Sequence, residues 1–281
     1  MKFGIHLSTF TNEWDEDIFR YIRKVKEYGY DGVEFPLMDP DSFKVDKAKK
    51  LLKEYSLECT CGTGMNPQRD ISAEDSIINK NGINHLKKCL DICNELETDC
   101  LGGVLYAPWG TCMSREAGKD NIKRSIENLS KIGEYAKEKG VVLALEMINR
   151  YETYVINSVQ DGLAFIDKVG NDNVKLHFDT FHANIEEKSI KNALIEGGKN
   201  IYHIHFCEND RGAPGTGQIN WQQVKEGLEA IEYDRWITLE NFVMPNCGVG
   251  NDVFIWRDID ESGLAVAEKG IKFMKELFKR A

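Results

Sequence analysis

No run of apolar residues in this sequence approaches the roughly 18 that a membrane-crossing helix requires, so no membrane partner is expected. The opening stretch, MKFGIHLSTF, has no secretory apolar region, which makes the cytoplasm the expected compartment. Basic charge is also short: 36 Lys and Arg face 46 Asp and Glu, a formal net charge of -10. Nucleic acid is therefore not an expected partner, because phosphate binding draws on a surplus of Lys and Arg over one face. The 8 cysteines lack zinc-finger spacing. Cys59-x-Cys61 and Cys89-x-x-x-Cys93 read as reduced thiols of a cytosolic chain. Linker-like and low-complexity segments are missing as well, and residues 1–281 are expected to form a single domain.

What is present is an ordinary globular composition, 42% hydrophobic and 29% charged, arranged as short apolar runs alternating with amphipathic stretches. The expected strands are Phe3 to Ser8, Gly32 to Phe35, Leu57 to Cys61, Cys100 to Tyr106, Val141 to Leu145, Val174 to Asp179, Ile201 to His205 and Trp236 to Glu240. Between them, helices are expected over Trp14 to Tyr28, stopped by Gly29, and over Asp46 to Tyr55. Another runs from Ser72 to Leu96, opening on a near capping box and carrying Gly82 inside it. Further helices are expected over Asp120 to Lys139, from Asn157 with Gln160 three residues on, after Ser189, from Trp221, and over Gly263 to Lys279. Gly102-Gly103 in the fourth strand points to a tight backbone approach. Eight strands, each followed by a helix, define an α/β architecture, a single (β/α)8 TIM barrel. Period-2 alternation then sends Leu143, Leu145, Leu176, Phe178, Ile204, Phe206, Ile237 and Leu239 outward beneath the helices. The same choice leaves His6 and Glu34 inside, so polar groups collect in the barrel mouth.

The stretch VVLALEMINRYE, Val141 to Glu152, shows what that mouth is for. A buried apolar strand ends on Glu146, where an ionised carboxylate needs a metal or a partner group. Asp179, His205 and Glu240 end the next three strands in the same way. In this architecture the carboxyl ends of the strands converge on the active face. Any one of these residues alone reads as a salt-bridged rim residue; four on consecutive strands read as a metal site. Carboxylates with one imidazole suit Mn²⁺, Co²⁺ or Mg²⁺ better than a thiolate-seeking ion.

The motifs Leu145-Glu146 with Asn149-Arg150-Tyr151-Glu152, Asp179-Thr-Phe-His182 with Asn184-Ile-Glu-Glu187, His203-Ile-His205 with Glu208 and Arg211, and Trp256-Arg257-Asp258 together resemble the ketose 3-epimerase family. That family includes D-tagatose and D-allulose (D-psicose) 3-epimerases and L-ribulose 3-epimerases, on a xylose-isomerase-like barrel. The resemblance implies one divalent metal, most often Mn²⁺ and in some members Co²⁺ or Mg²⁺, held by Glu146, Asp179, His205 and Glu240, with no organic cofactor. It implies that Glu152, His182 and Arg211 hold substrate oxygens O1 to O3. Glu146 and Glu240 would flank C3 and exchange its proton through a metal-stabilised cis-enediolate. Trp14, Trp109 and Phe242 would contact the sugar and close the pocket, with His6 toward its far end. A homodimer or homotetramer is implied as well.

Each supporting residue also has a plainer reading: His182 paired with Glu186, Arg211 solvated in its loop, Glu152 an ordinary loop carboxylate, and His177 and His203 packed barrel residues. The long loop after the seventh strand, CENDRGAPGTGQIN, has no basic phosphate clamp, which favours a free ketose over a sugar phosphate. Competing functions on such a barrel are aldose-ketose isomerisation, inosose dehydration, abasic-site DNA cleavage, and non-catalytic sugar or metal binding.

Overall fold

The computed structural model describes residues 1–279. Its strands are β1 (Lys2–His6), β2 (Gly32–Pro36), β3 (Glu58–Gly62), β4 (Cys100–Gly103), β5 (Val142–Glu146), β6 (Val174–Asp179), β7 (Ile201–Phe206) and β8 (Trp236–Leu239). They pair in parallel in sequence order, and β1 returns to β8 with Ile5 opposite Leu239, so the sheet closes into a barrel. Parallel neighbours cannot be joined by tight turns, and the helical crossovers that join them cover the barrel's outer face. The inside–outside assignment holds. Phe206 packs on Trp221 of the helix Trp221–Ala230 at 4.8 Å between ring centroids, and Phe35 packs on Phe19 at 5.9 Å. Glu34, Thr60, His203 and His205 meet inside.

Differences from the expected elements lie at helix starts and strand ends: β1 stops at His6, short of the expected Ser8, because Leu7–Phe10 form a 3-10 turn. The first helix begins late: a 3-10 turn, Ile18–Tyr21, precedes the α-helix Ile22–Tyr28, and Asp17 accepts the Phe19 N–H at 3.1 Å. Residues 11–16 therefore remain loop, which carries Trp14 toward the mouth. Gly29 ends that helix at φ 86°. Ser72 does not cap the third long helix; Asp70 Oδ1 takes both its N–H and its hydroxyl in a local turn, at 2.7 and 2.6 Å. The helix is Ser76–Glu95, and Asp75 caps it by accepting from Ile77 and Ile78. Gly82 is needed there because a Cβ would come within 2.8 Å of the Ile71 nitrogen.

Asn157 likewise yields the cap of the helix Val159–Val169 to Ser158, and spends its amide on the carbonyls of Ile148 and Thr153. The segment after β6 is a helix, Thr180–Glu186, that starts with no connecting loop. Loop 241–260 contains the short helix Gly248–Asp252, and the terminal helix is Gly263–Leu277. β4 is shorter than expected because Gly103 turns to φ +117°, where a Cβ would lie 2.1 Å from the Thr63 carbonyl oxygen. The close approach expected of the glycine pair is real. Among the described residues, no helix is long and apolar enough to cross a membrane.

Candidate active site

The end of β5 delivers Glu146, β6 delivers Asp179, β7 delivers His205, and Glu240 follows β8 directly. Each offers a donor atom, and these atoms lie within 4.8 Å of one another. Asp179 does two jobs. Its Oδ1 caps the following helix by accepting from Phe181 and His182 at 2.6 and 3.3 Å, while its Oδ2 is buried without a hydrogen bond. His205 Nδ1 is also buried and unbonded, 3.9 Å from Asp179 Oδ2 and 3.5 Å from Glu240 Oε2. Orphaned acceptors of this kind cost free energy unless a ligand meets them, and three carboxylates with an imidazole fit a hard divalent cation. The group could bind a metal ion.

Crowding sets the charge states. Burial, and then the charge of Glu240, pushes the Glu146 carboxyl well above the usual carboxylate range. Burial works against ionised Glu240 too, but the charge of His205, and after it those of His6 and Arg211, outweigh it and hold Glu240 below that range. Such opposite directions are what like charges at short range impose.

Above the cluster lies a cavity of about 510 Å³ whose lining includes His6, Trp109, Glu152, His182, Arg211 and Phe242. Trp14 lines it too, half-buried, with its indole N–H donated to Asp252 at 2.8 Å. Every residue expected at the site therefore borders the cavity or the cluster. Arg211 is buried rather than solvated: it sits over the Phe181 ring at 4.0 Å, donates to Glu240 Oε2 at 3.2 Å, and lies 3.2 Å from His182 Nε2. Glu186, the plainer partner for His182, instead pairs with Arg150. His182 Nδ1 accepts the Asn149 backbone N–H at 3.1 Å. Its Nε2 faces the donor-only Arg211 guanidinium and lies 3.8 Å from Glu146 Oε1. Glu152 accepts from the Trp109 indole and the Asn149 amide, each at 2.7 Å. His6 Nδ1 is buried, unbonded and 4.0 Å from Glu240 Oε1.

Three residues beyond the expected set help to build the site. Asn149 holds Glu152 and His182 together; its place in the Asn149-Arg150-Tyr151-Glu152 motif was the available signal. Glu208 organises the loop that carries Arg211. Its side chain accepts the N–H groups of Gly215 and Ile219 and the Trp221 indole, all at 2.9 Å, while its carbonyl accepts the Arg211 N–H at 3.0 Å. Arg211 itself has φ 71°, a left-handed conformation that the loop's hydrogen bonds maintain. Glu34 lies beneath His205, and parity had placed it inside without a role. His177 and His203 are packed in the barrel as expected, but the hydrogen bonds expected of them are missing, since no nitrogen of either ring has a hydrogen-bond partner. With His205 they form a second trio of neighbouring ring nitrogens, in which Glu34 already engages His205 Nε2.

A closed parallel barrel with a carboxylate-rich cluster at the carboxyl ends of its strands defines the class as a TIM-barrel enzyme, whose active site forms at that face. The family model for the xylose isomerase-like TIM barrel matches residues 22–277. The D-psicose 3-epimerase of Ruminiclostridium cellulolyticum is 34% identical over 92% of this chain and 90% of its own length. The L-ribulose 3-epimerase of Methylomonas sp. is 31% identical over 99% and 98%. The crystal structure of Methylomonas D-allulose 3-epimerase in complex with D-allulose superposes with a TM-score of 0.91 at 31% identity, covering 98% of this chain and 96% of that one. The chain belongs to the xylose isomerase-like TIM barrel family, among its ketose 3-epimerases, and is an isomerase.

Proposed function

We propose that this enzyme interconverts free ketoses at C3, in the class of D-fructose with D-allulose, D-tagatose with D-sorbose, or L-ribulose with its epimer. The observation that carries the reading is the meeting of Glu146, Asp179, His205 and Glu240 donor atoms within 4.8 Å beneath a sugar-sized cavity. A divalent cation held by these four residues, Mn²⁺ first and Co²⁺ or Mg²⁺ next, supplies Lewis-acid polarisation of the substrate carbonyl. No organic cofactor enters the scheme.

The remaining work falls to the chain. A proton beside a ketone is weakly acidic, and inverting C3 means removing it from one face and returning one to the other. Glu146 and Glu240, three strands apart round the barrel, serve as that pair and exchange roles with direction. Arg211 offers positive charge and N–H donors to the oxygens that gain charge, and His182 beside it hydrogen-bonds to the same end of the sugar. Glu152, oriented by Trp109 and Asn149, accepts from a substrate hydroxyl. Trp109, Trp14 and Phe242 exclude water, and His6 meets the far end of the sugar. Among the described residues Arg211 is the one guanidinium or ammonium lining the cavity, and it is already engaged by Glu240, which supports a free ketose over a phosphate ester.

The resemblance further implies a homodimer or homotetramer acting in the cytoplasm as one catalytic domain. Tyr151, Phe254 and Trp256, all exposed in one groove beside the mouth, are the surface such an assembly would cover. Sedimentation gives the mass. The function is tested by chelating the protein, restoring single metals and offering a ketose panel. A C3-epimeric ketose supports the proposal; an aldose, a dehydrated product or no turnover with any metal sinks it.

A further inference from the structure

Beneath the cluster, one buried carboxylate reaches across the barrel from β2. Glu34 is 1% exposed, and its oxygens are shared out completely. Oε1 lies 2.6 Å from His205 Nε2. Oε2 accepts the Thr60 hydroxyl at 2.7 Å and stands 2.7 Å from His203 Nε2, the latter without hydrogen-bond alignment. An ionised carboxylate has no proton to give, so His205 Nε2 must be the donor in this pair. A cation entering the cluster displaces any proton on Nδ1 and leaves an imidazole that keeps its proton on Nε2 and presents a bare Nδ1. That atom is the one facing Glu240 at 3.5 Å and Asp179 at 3.9 Å without a hydrogen bond.

We infer that Glu34 is a positioning residue for cation binding, fixing His205 in the tautomer and ring orientation that present Nδ1 to the carboxylate cluster. The inference rests on the proposed metal site. Its physical necessity comes from the competing state. Without an acceptor at Nε2, the His205 proton would move to Nδ1, where Glu240 and Asp179 would attract it. The imidazole would then offer a proton where a cation needs a lone pair. Glu34 pulls the proton to the other side of the ring. Carboxylate partners of ligating histidines act this way in metal sites generally.

The test measures Mn²⁺ binding to chelated wild-type, Glu34→Leu and Thr60→Val proteins by titration calorimetry. Glu34→Leu, which removes the acceptor at Nε2, is expected to weaken Mn²⁺ about 10–100-fold. It should also raise the metal concentration needed for activity while leaving the ketose KM and the metal-saturated kcat near wild type. Thr60→Val, which spares both histidine contacts, should bind Mn²⁺ nearly as wild type. A folded Glu34→Leu with the wild-type Mn²⁺ affinity overturns the inference. If that variant fails to fold, selective ¹⁵N labelling of the 6 histidines in the wild-type, Mg²⁺-loaded enzyme decides. A proton on His205 Nε2 with none on Nδ1 supports the assignment; the reverse overturns it. Wild-type protein that binds neither Mn²⁺ nor Mg²⁺ would instead defeat the metal-site reading beneath it, an outcome separate from failure at Glu34 alone.

Discussion

Glu208 and Glu146 are both buried carboxylates near the carboxyl end of the barrel, and their surroundings differ in kind. Glu208 is 0% exposed, and three N–H donors at 2.9 Å saturate it. The Glu146 side chain makes no hydrogen bond to any described residue; its charged-group contacts are His182 at 3.8 Å and His177 at 4.0 Å. Burial of both thus yields a structural anchor in one place and a reactive group in the other. Hydrogen-bond saturation, more than burial, separates the two. His85 sides with Glu208: Arg69 donates to its Nδ1 at 3.1 Å, and its Nε2 proton faces Thr63 Oγ1 at 2.8 Å.

The contrast breaks most visibly in kinetics. Glu146→Gln or Glu240→Gln should lower kcat by about 10²–10⁴-fold, the usual worth of a positioned acid or base, while the melting temperature of Glu146→Gln stays at or above wild type because its carboxyl makes no hydrogen bond to lose. Unfolding by Glu146→Gln would place Glu146 with Glu208. Next in size is metal rescue of the orphaned donors. Mn²⁺ at about 100 times its Kd should add about 2.7 kcal/mol to stability, a rise of about 5–10 °C in melting temperature by scanning calorimetry.

His85 sharpens the saturated side. Burial first, and then the Arg69 charge, lower its pKa to about 4, below its usual 6.5. Between these values the unfolded chain binds the proton and the folded one does not. Stability is therefore full above about pH 6.5 and falls toward pH 4, by at most about 3 kcal/mol from this group. Urea midpoints at pH 7 and pH 5 should diverge in the wild type and converge in His85→Gln. Smallest is Glu208→Gln, expected to cost about 2 kcal/mol of stability as charged hydrogen bonds weaken, with kcat of the folded enzyme largely kept. A collapse in kcat without loss of stability would reverse its assignment.

The same contrast explains what could be read in the chain. Glu146, Asp179, His205 and Glu240 were legible because each ends an apolar run, and a polar residue in that position has no local excuse. Gly102-Gly103 was legible because two glycines in a strand forfeit side-chain packing. The caps at Ser72 and Asn157 misled, since neighbouring Asp75 and Ser158 compete for the same N–H groups and tertiary contacts decide the winner. Asp179 concealed a helix because its one side chain serves both cap and cluster. Glu34 is 171 residues from His205, a pairing set by barrel closure rather than by any local pattern. Asn149 and Glu208 escaped for a related reason: their partners are loop N–H groups and side chains that meet only after folding.

The central claim, that opposed glutamates remove and return the C3 proton, is tested most directly by running the metal-loaded enzyme on D-fructose in D₂O and reading the product by NMR at low conversion. Two bases on opposite faces predict D-allulose carrying deuterium at C3, with the unreacted fructose largely unlabelled. Product retaining its original C3 proton, or deuterium at C1 or C2 of an aldose, would contradict the account.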